Sequence, residues 1–351
     1  MVRNRKAAIL AVMMSFAVTL CMAGPSPVRH AADAAASGYR IIKTIAVGGE
    51  GGWDYVTVDS EARRVYVSHA THVVILDADS GAKVGDIPNT QGVHGIALAP
   101  EFGRGFVSNG KTNTVTIFDM RTYATIGIVN TGGQNPDAIY YDAATKRVFA
   151  FNGRSGTAAA INAADGKLVG SVPIGGKLEF AAGAGDGRVF VNIEDKSEMA
   201  EIDAQKLMVR RRWPLAPCVE PSGLAMDAEH RRLFAVCDNR VMAVVNADTG
   251  KVVARPAIGE APDAAGFDPE TQYAFSSNGQ SGTLTVIHED TPDRYTVVDT
   301  VLTKRYARTM AVDLRTHNIF LPAAEFEGTA APGERRPPIR PGTFQVLVVG
   351  R

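Results

Sequence analysis

RRVYVSHATHVVILDADSGAKVGDI, residues 63–87, reads as strand, short turn, strand, turn and strand. The phrase returns as RGFVSNGKTNTVTIFDMRTYATIGIV at residues 104–129 and as YAFSSNGQSGTLTVIHEDTPDRYTVV at residues 273–298. Apolar residues run with period two, as in VYVS, TVTIF and FQVLVV, and helical periodicity is weak. Such alternation marks half-buried strands. An Asp or Asn closes the third strand of each phrase at Asp77, Asp119, Asn162, Asp203 and Asn246, with His288 next, in steps of 41 to 43. A short polar side chain there bonds the backbone two residues on and sets the turn.

A second marker opens the second strand: Arg64, Arg104, Arg147, Arg188, Arg232, Tyr273 and Asn318, spaced by 40 to 45 residues. Two independent markers with one period of about 42 residues predict repeated four-stranded units, the pattern of a β-propeller. A lone four-stranded sheet has bare edges and two exposed faces, and radial packing buries the faces. Counting second strands predicts seven blades. The last ends at GTFQVLVVGR without a fourth strand, and YRIIKTIAV at residues 39–47 is expected to supply it. The expected fold is therefore all-β: one seven-bladed β-propeller domain over residues 39–351, with an N-terminal strand closing the last blade.

RVYVSHATHVVILDADSG and FVSNGKTNTVTIFD resemble the YVTN-type repeats of YncE-like seven-bladed propeller proteins, over nearly the whole chain after the leader. The resemblance implies architecture rather than activity. Exported members of that group have no settled role, and single-stranded DNA binding is associated with it. Lactonase, quinoprotein and cytochrome-d1-type propellers share the shape.

Before the repeats, Arg3, Arg5 and Lys6 precede an apolar run from Ala7 to Ala23, followed by Gly24-Pro25-Ser26-Pro27. A basic start, an apolar centre and small residues at the end describe a secretory signal peptide over residues 1–23, the rival being an uncleaved anchor. Residues 24–38 read as a flexible leader. The expected location is the periplasm or the outside of the cell, and the expected state a monomer. Without residues 1–23 the chain carries 34 Lys and Arg against 37 Asp and Glu, a net charge of −3. That balance does not favour a nucleic-acid partner. Cys218 and Cys237 remain, an even pair at the same end of neighbouring strands, read as a disulfide; a metal or redox site would want a C-x-x-C spacing.

In a propeller the first strand of each blade lines the central channel. Counting ten residues back from each second-strand marker gives the channel mouth: Asp54, His94, Asp137, Ser222, Asp263 and Arg308, with Glu179 aligned in the shorter hairpin of blade 4. Trp53 stands beside Asp54 as a candidate pocket floor, although wedging between blades is the commoner fate of such a ring. Four acids around one opening would repel one another and raise pKa values or share a cation; the plainer reading is a water-filled mouth that tolerates charge, each acid bonding backbone N–H groups of the next blade. Asp54, Asp137, Glu179 and Asp263 suit Ca2+ or Mg2+, and His94 would admit Zn2+ or Mn2+. The rim loops add His69, His72, Asn109, Asn152, Asn239 and Asn278 among others, the Asn residues as turn formers.

Blade 7 carries an insertion between its second and third strands, residues 327–342 at its centre, whose Pro and Gly content argues against regular structure. Two readings stand side by side: it folds over the mouth with Arg335, Arg336 and Arg340 facing an anion, or it is disordered. No nucleophile elbow, P-loop, dinucleotide fingerprint or H-E-x-x-H occurs. The leading expectation is thus a non-catalytic binding protein for a small anion, a peptide or an envelope protein at the mouth. The alternatives are a metal-dependent lactonase-type hydrolase on the same acidic ring, and single-stranded DNA binding.

Overall fold

The computed structural model describes Met1, residues 37–330 and residues 336–351. The proposed signal peptide and most of the leader lie outside the described residues. Ser37, read as leader, already belongs to the body: its Oγ donates to Asp299 Oδ2 at 2.6 Å.

Among the described residues, twenty-eight strands form seven antiparallel sheets of four. Blade 1 runs through Trp53–Asp59, Arg64–His69, His72–Asp77 and Lys83–Ile87. Five further blades repeat the order inner, second, third and outer strand. Blade 7 is assembled from both ends of the chain: Ala311–Asp313, Asn318–Ala323 and Gln345–Gly350 are completed by Arg40–Ala46, which pairs antiparallel with Gln345–Gly350. Two short 3-10 turns, Pro100–Phe102 and Glu194–Lys196, are the helical elements among the described residues. No helix there is long and apolar enough to cross a membrane.

The core is divided as radial packing requires. Among the described residues there are seven apolar clusters, one at each junction between neighbouring blades. The second strand of blade 3 shows how. Val148 and Ala150 face blade 2, while Phe149 and Phe151 face blade 4. The middle strands are thus buried on both faces, beyond the half-burial that alternation implied. The junction of blades 7 and 1 is filled like the rest, by Phe320, Val346, Val65 and Val67 among others, so the ring is closed.

The turn markers act as their chemistry suggests. Asp77, Asp119, Asp203 and Asn246 each accept the backbone N–H three residues on, at 2.7–3.0 Å. Cys218 and Cys237 are disulfide-bonded, with Cα atoms 5.4 Å apart. The bond ties the loop entering the inner strand of blade 5 (Pro221–Asp227) to the end of its second strand (Arg232–Cys237). Arg210, Arg211 and Arg212 lie on the outer strand of blade 4 (Met208–Pro214), and the first two reach the buried carboxylate of Glu201 at 3.3 and 3.6 Å.

Candidate functional site

Each inner strand presents its second residue to the channel mouth, and the six inner strands of blades 1 to 6 bring Asp54, His94, Asp137, Glu179, Ser222 and Asp263 to that register position. In blade 7 Arg308 comes from the segment just before Ala311–Asp313. Six of these seven residues meet at one cavity of about 530 Å³, whose walls include all of them except His94.

Arg308 organises the ring. Its guanidinium donates to Asp54 Oδ1 at 2.8 Å, to the Trp53 carbonyl at 3.2 Å and to Asp263 Oδ2. Asp263 also accepts the Ser222 hydroxyl at 2.7 Å. On its other side Asp54 is bonded to His94 Nδ1 at 2.5 Å, and Asp137 lies 3.7 Å from the same nitrogen. Burial opposes ionisation of Asp54, but the Arg308 charge and His94 outweigh it and hold the carboxyl at about 2. Burial likewise works against the charged His94 ring, yet Asp54 and Asp137 push it up to about 9, so it is a cation at neutral pH.

The other half of the ring is short of positive charge. Burial, with the charges of Asp54 and Asp263, raises Asp137 to about 6 although His94 opposes it. Glu179 rises further, to about 9, through burial and the charge of Asp137. Lys177 lies 3.0 Å from Glu179, but it also pairs with Glu194, and one ammonium cannot neutralise both.

The floor is aromatic. Tyr55 of blade 1 and Phe180 of blade 4 stack across the channel with centroids 4.4 Å apart, and both line the cavity. The Tyr55 hydroxyl is buried without a hydrogen-bond partner and its ionisation is strongly opposed, first by burial and then by the surrounding carboxylates. The walls also take Lys177, Glu194, Glu220, Asp238, Gln280, Tyr306 and Arg336. Sequence reasoning had not placed most of these at the site. Tyr55 and Phe180 each directly follow a mouth residue, which is the signal that would have found them.

Trp53 does not floor the cavity. Its ring is buried and stacks on Phe344 at 5.4 Å, between blades 1 and 7. His69 is buried against Phe344 and His72 lies 3.8 Å from Asp86, away from the ring of acids. Asn109, Asn152 and Asn278 are spent on their own hairpins, each donating to a threonine hydroxyl. In its described residues the blade-7 insertion holds no strand or helix, as its composition suggested, but it is anchored. Phe326 and Ile339 bridge antiparallel, and Phe326 packs on Trp53 and Tyr306. Arg336 lines the cavity, Arg340 turns to Glu325 at 3.5 Å, and Arg335 lies outside the described residues.

The five-residue cation set expected at the mouth is not assembled as one. Among the described residues, Asp54, His94 and Asp137 bring one possible ligand atom each within 4.8 Å of the others, without Glu179 or Asp263. The Arg308 guanidinium occupies the position between Asp54 and Asp263.

No protein-family model matches the chain, and no curated protein matches it. Among solved structures, a hydrazine synthase chain of Kuenenia stuttgartiensis is similar, with a TM-score of 0.66 and 15% identity over 80% of this chain and 94% of that one. At that identity the likeness is one of fold, and it agrees with the seven-bladed β-propeller seen here.

Proposed function

We propose that the chain is an exported, YVTN-type propeller that binds a small organic cation, or the amine of a peptide, in the mouth cavity without covalent chemistry. The observation that carries this reading is the charge balance of the walls. Seven carboxyl side chains face three cationic ones, Lys177, Arg308 and Arg336, and Arg308 is committed to Asp54 and Asp263. Glu179, held protonated by burial and the charge of Asp137, would ionise on meeting an ammonium group, and Asp137, raised to about 6, would be held fully ionised by it. Below them the Tyr55–Phe180 stack offers a π-face of the kind that attracts alkylammonium ions. The same balance counts against a small anion and against single-stranded DNA at this opening. The disulfide suits an oxidising compartment.

Thermal-shift and calorimetric titration with polyamines, Lys-terminated peptides and quaternary ammonium compounds tests the proposal. At least one class is expected to bind, with Asp137→Asn and Glu179→Gln each weakening it about tenfold or more. Stabilisation by carboxylates or phosphates instead of amines would overturn it. The hydrolase reading is favoured by one observation, the Asp54–His94–Asp137 cluster. It requires a metal that His94→Ala removes, together with lactone hydrolysis that follows the metal.

A further inference from the structure

The opposite end of the molecule holds a second cluster, at the junction of blades 5 and 6. Asp227 ends the inner strand Pro221–Asp227, His230 sits in the turn after it, and Glu289 lies on the third strand of blade 6, Thr283–Thr291. His230 Nδ1 is 2.8 Å from Asp227 Oδ2 and 3.0 Å from Glu289 Oε1. The three residues bring one possible ligand atom each within 4.8 Å of the others.

The repeat makes this cluster conspicuous. At three of the four other aspartates that end an inner strand, the next blade supplies a donor: Arg63 at Asp313, His317 at Asp268, and the Gly187 N–H at Asp142, while Asp59 accepts from the Ala62 N–H of its own turn. At Asp227 the next blade presents a second carboxylate. Glu289 also stands one residue past a third-strand marker, a position filled by Ala78, Ala163, Ala204 and Ala247 in four other blades and by Met120 in a fifth. His230 in turn replaces a threonine, for Thr145 and Thr316 cap their aspartates through the side-chain hydroxyl at 2.6 Å. Neither substitution is needed by the fold, and they occur on two blades that touch.

An independent observation points to a ligand. Glu289 is only 2% exposed, yet neither of its carboxylate oxygens has a hydrogen-bond donor, and His230 Nδ1 is buried without a properly directed bond. Arg232, whose charge acts on Glu289, spends its hydrogen bonds on Asp293 and on the carbonyls of Pro292, His230 and Arg231. A buried carboxylate with no donor is costly unless something positive completes it.

We propose that Asp227, His230 and Glu289 form a binding site for a divalent first-row transition ion, Zn2+ or Mn2+, that clamps blade 5 to blade 6. One imidazole and two carboxylates suit these borderline ions better than Ca2+ or Mg2+. Ligand atoms on bonds of about 2.1 Å lie about 3.0 Å apart at the right angles of a six-coordinate ion and about 3.4 Å apart at the tetrahedral angles usual for Zn2+, so the separations from His230 Nδ1 suit the six-coordinate geometry of Mn2+ without adjustment. The His230 side chain is 30% exposed, which leaves a side open for entry and for water ligands.

The test uses the full chain, stripped with chelator and titrated with ZnCl2 and then MnCl2 by calorimetry and thermal melting. Wild type is expected to bind one ion at this site and to melt several degrees higher with excess metal. Glu289→Gln and His230→Ala should each weaken that event by more than about 100-fold, since even residues behind a ligand cost 10- to 100-fold. Asp165→Asn, an exposed carboxylate on a turn of blade 3, should leave it unchanged. Without metal, Glu289→Gln should melt at or above wild type, because it removes a buried charge. The proposal fails if neither ion binds, or if both variants bind as wild type does. It also fails if Glu289→Gln lowers the melting temperature equally with and without metal, which would make Glu289 an ion-pair partner of His230 and no more.

Discussion

Removal of Arg308 strips a cationic partner from two buried carboxylates at once, Asp54 and Asp263. Breaking a buried pair by deleting one member leaves an uncompensated charge and costs about 3 kcal/mol or more. Arg308→Met is therefore expected to lower stability by that amount in urea unfolding, and to let Asp54 rise from its value of about 2. The remaining mouth residues set the pH dependence. Glu179 and Asp137 are acids lifted from 4.5 to about 9 and from 3.8 to about 6, so the folded chain holds protons that the unfolded chain has released. His94 is lifted from 6.5 to about 9, so its contribution is full below 6.5 and lost as pH rises through 9. All three act in one direction, and stability should fall as pH climbs from about 4.5 to 9. Asp54 acts below that window, its contribution being present above 3.8 and lost as pH falls through about 2. From these four groups melting temperature is expected to peak near pH 4, and Glu179→Gln should flatten the alkaline decline. A melting temperature that rises towards pH 9 would contradict this arrangement.

Among the elements, blade 5 carries the clearest prediction. The bond between Cys218 and Cys237 closes a loop with a sequence separation of 19, and a loop of that size stabilises by about 3 kcal/mol. The Cys218→Ala/Cys237→Ala pair should lose about that much, and reduction of the wild type should match it. The same blade shows what a repeat lets a reader see. The mouth positions were legible because each lies a fixed distance before a marker, even Glu179 after a one-residue correction. Which partners they choose was not. Arg308 joining Asp54 to Asp263 depends on side-chain reach across blades more than 40 residues apart, and Lys177 dividing itself between Glu179 and Glu194 depends on reach between the loops of one blade. The anchoring of the blade-7 insertion was illegible for a related reason. Its composition describes its own backbone, while the anchor, Phe326 against Trp53 and Tyr306, is supplied by other blades. Glu289 in an alanine column was visible in the sequence, but only the fold shows that Asp227 faces it.

For the molecule as a whole, the period of about 42 residues was enough to fix seven sheets around an axis, because no other arrangement buries both faces of so many similar sheets. Closure then depends on Arg40–Ala46, which alone completes blade 7. This strand buries Ile45 in the junction with blade 1, and the residue before it, Tyr39, packs between blades 6 and 7. Each such side chain contributes about 1.5–3 kcal/mol, and the strand also satisfies the backbone edge of Gln345–Gly350. A chain beginning at Val47 would lose both side chains and expose that edge, against a total stability of about 5–15 kcal/mol for a typical domain. Compared with a chain beginning at Ser37, it is expected to unfold at much lower urea or to be recovered as aggregate, since an unpaired apolar edge templates association. Adding the peptide of residues 37–46 in trans should restore part of the lost stability. If the chain beginning at Val47 melts like the longer one, the N-terminal strand is a decoration on a ring that three-stranded packing already holds shut.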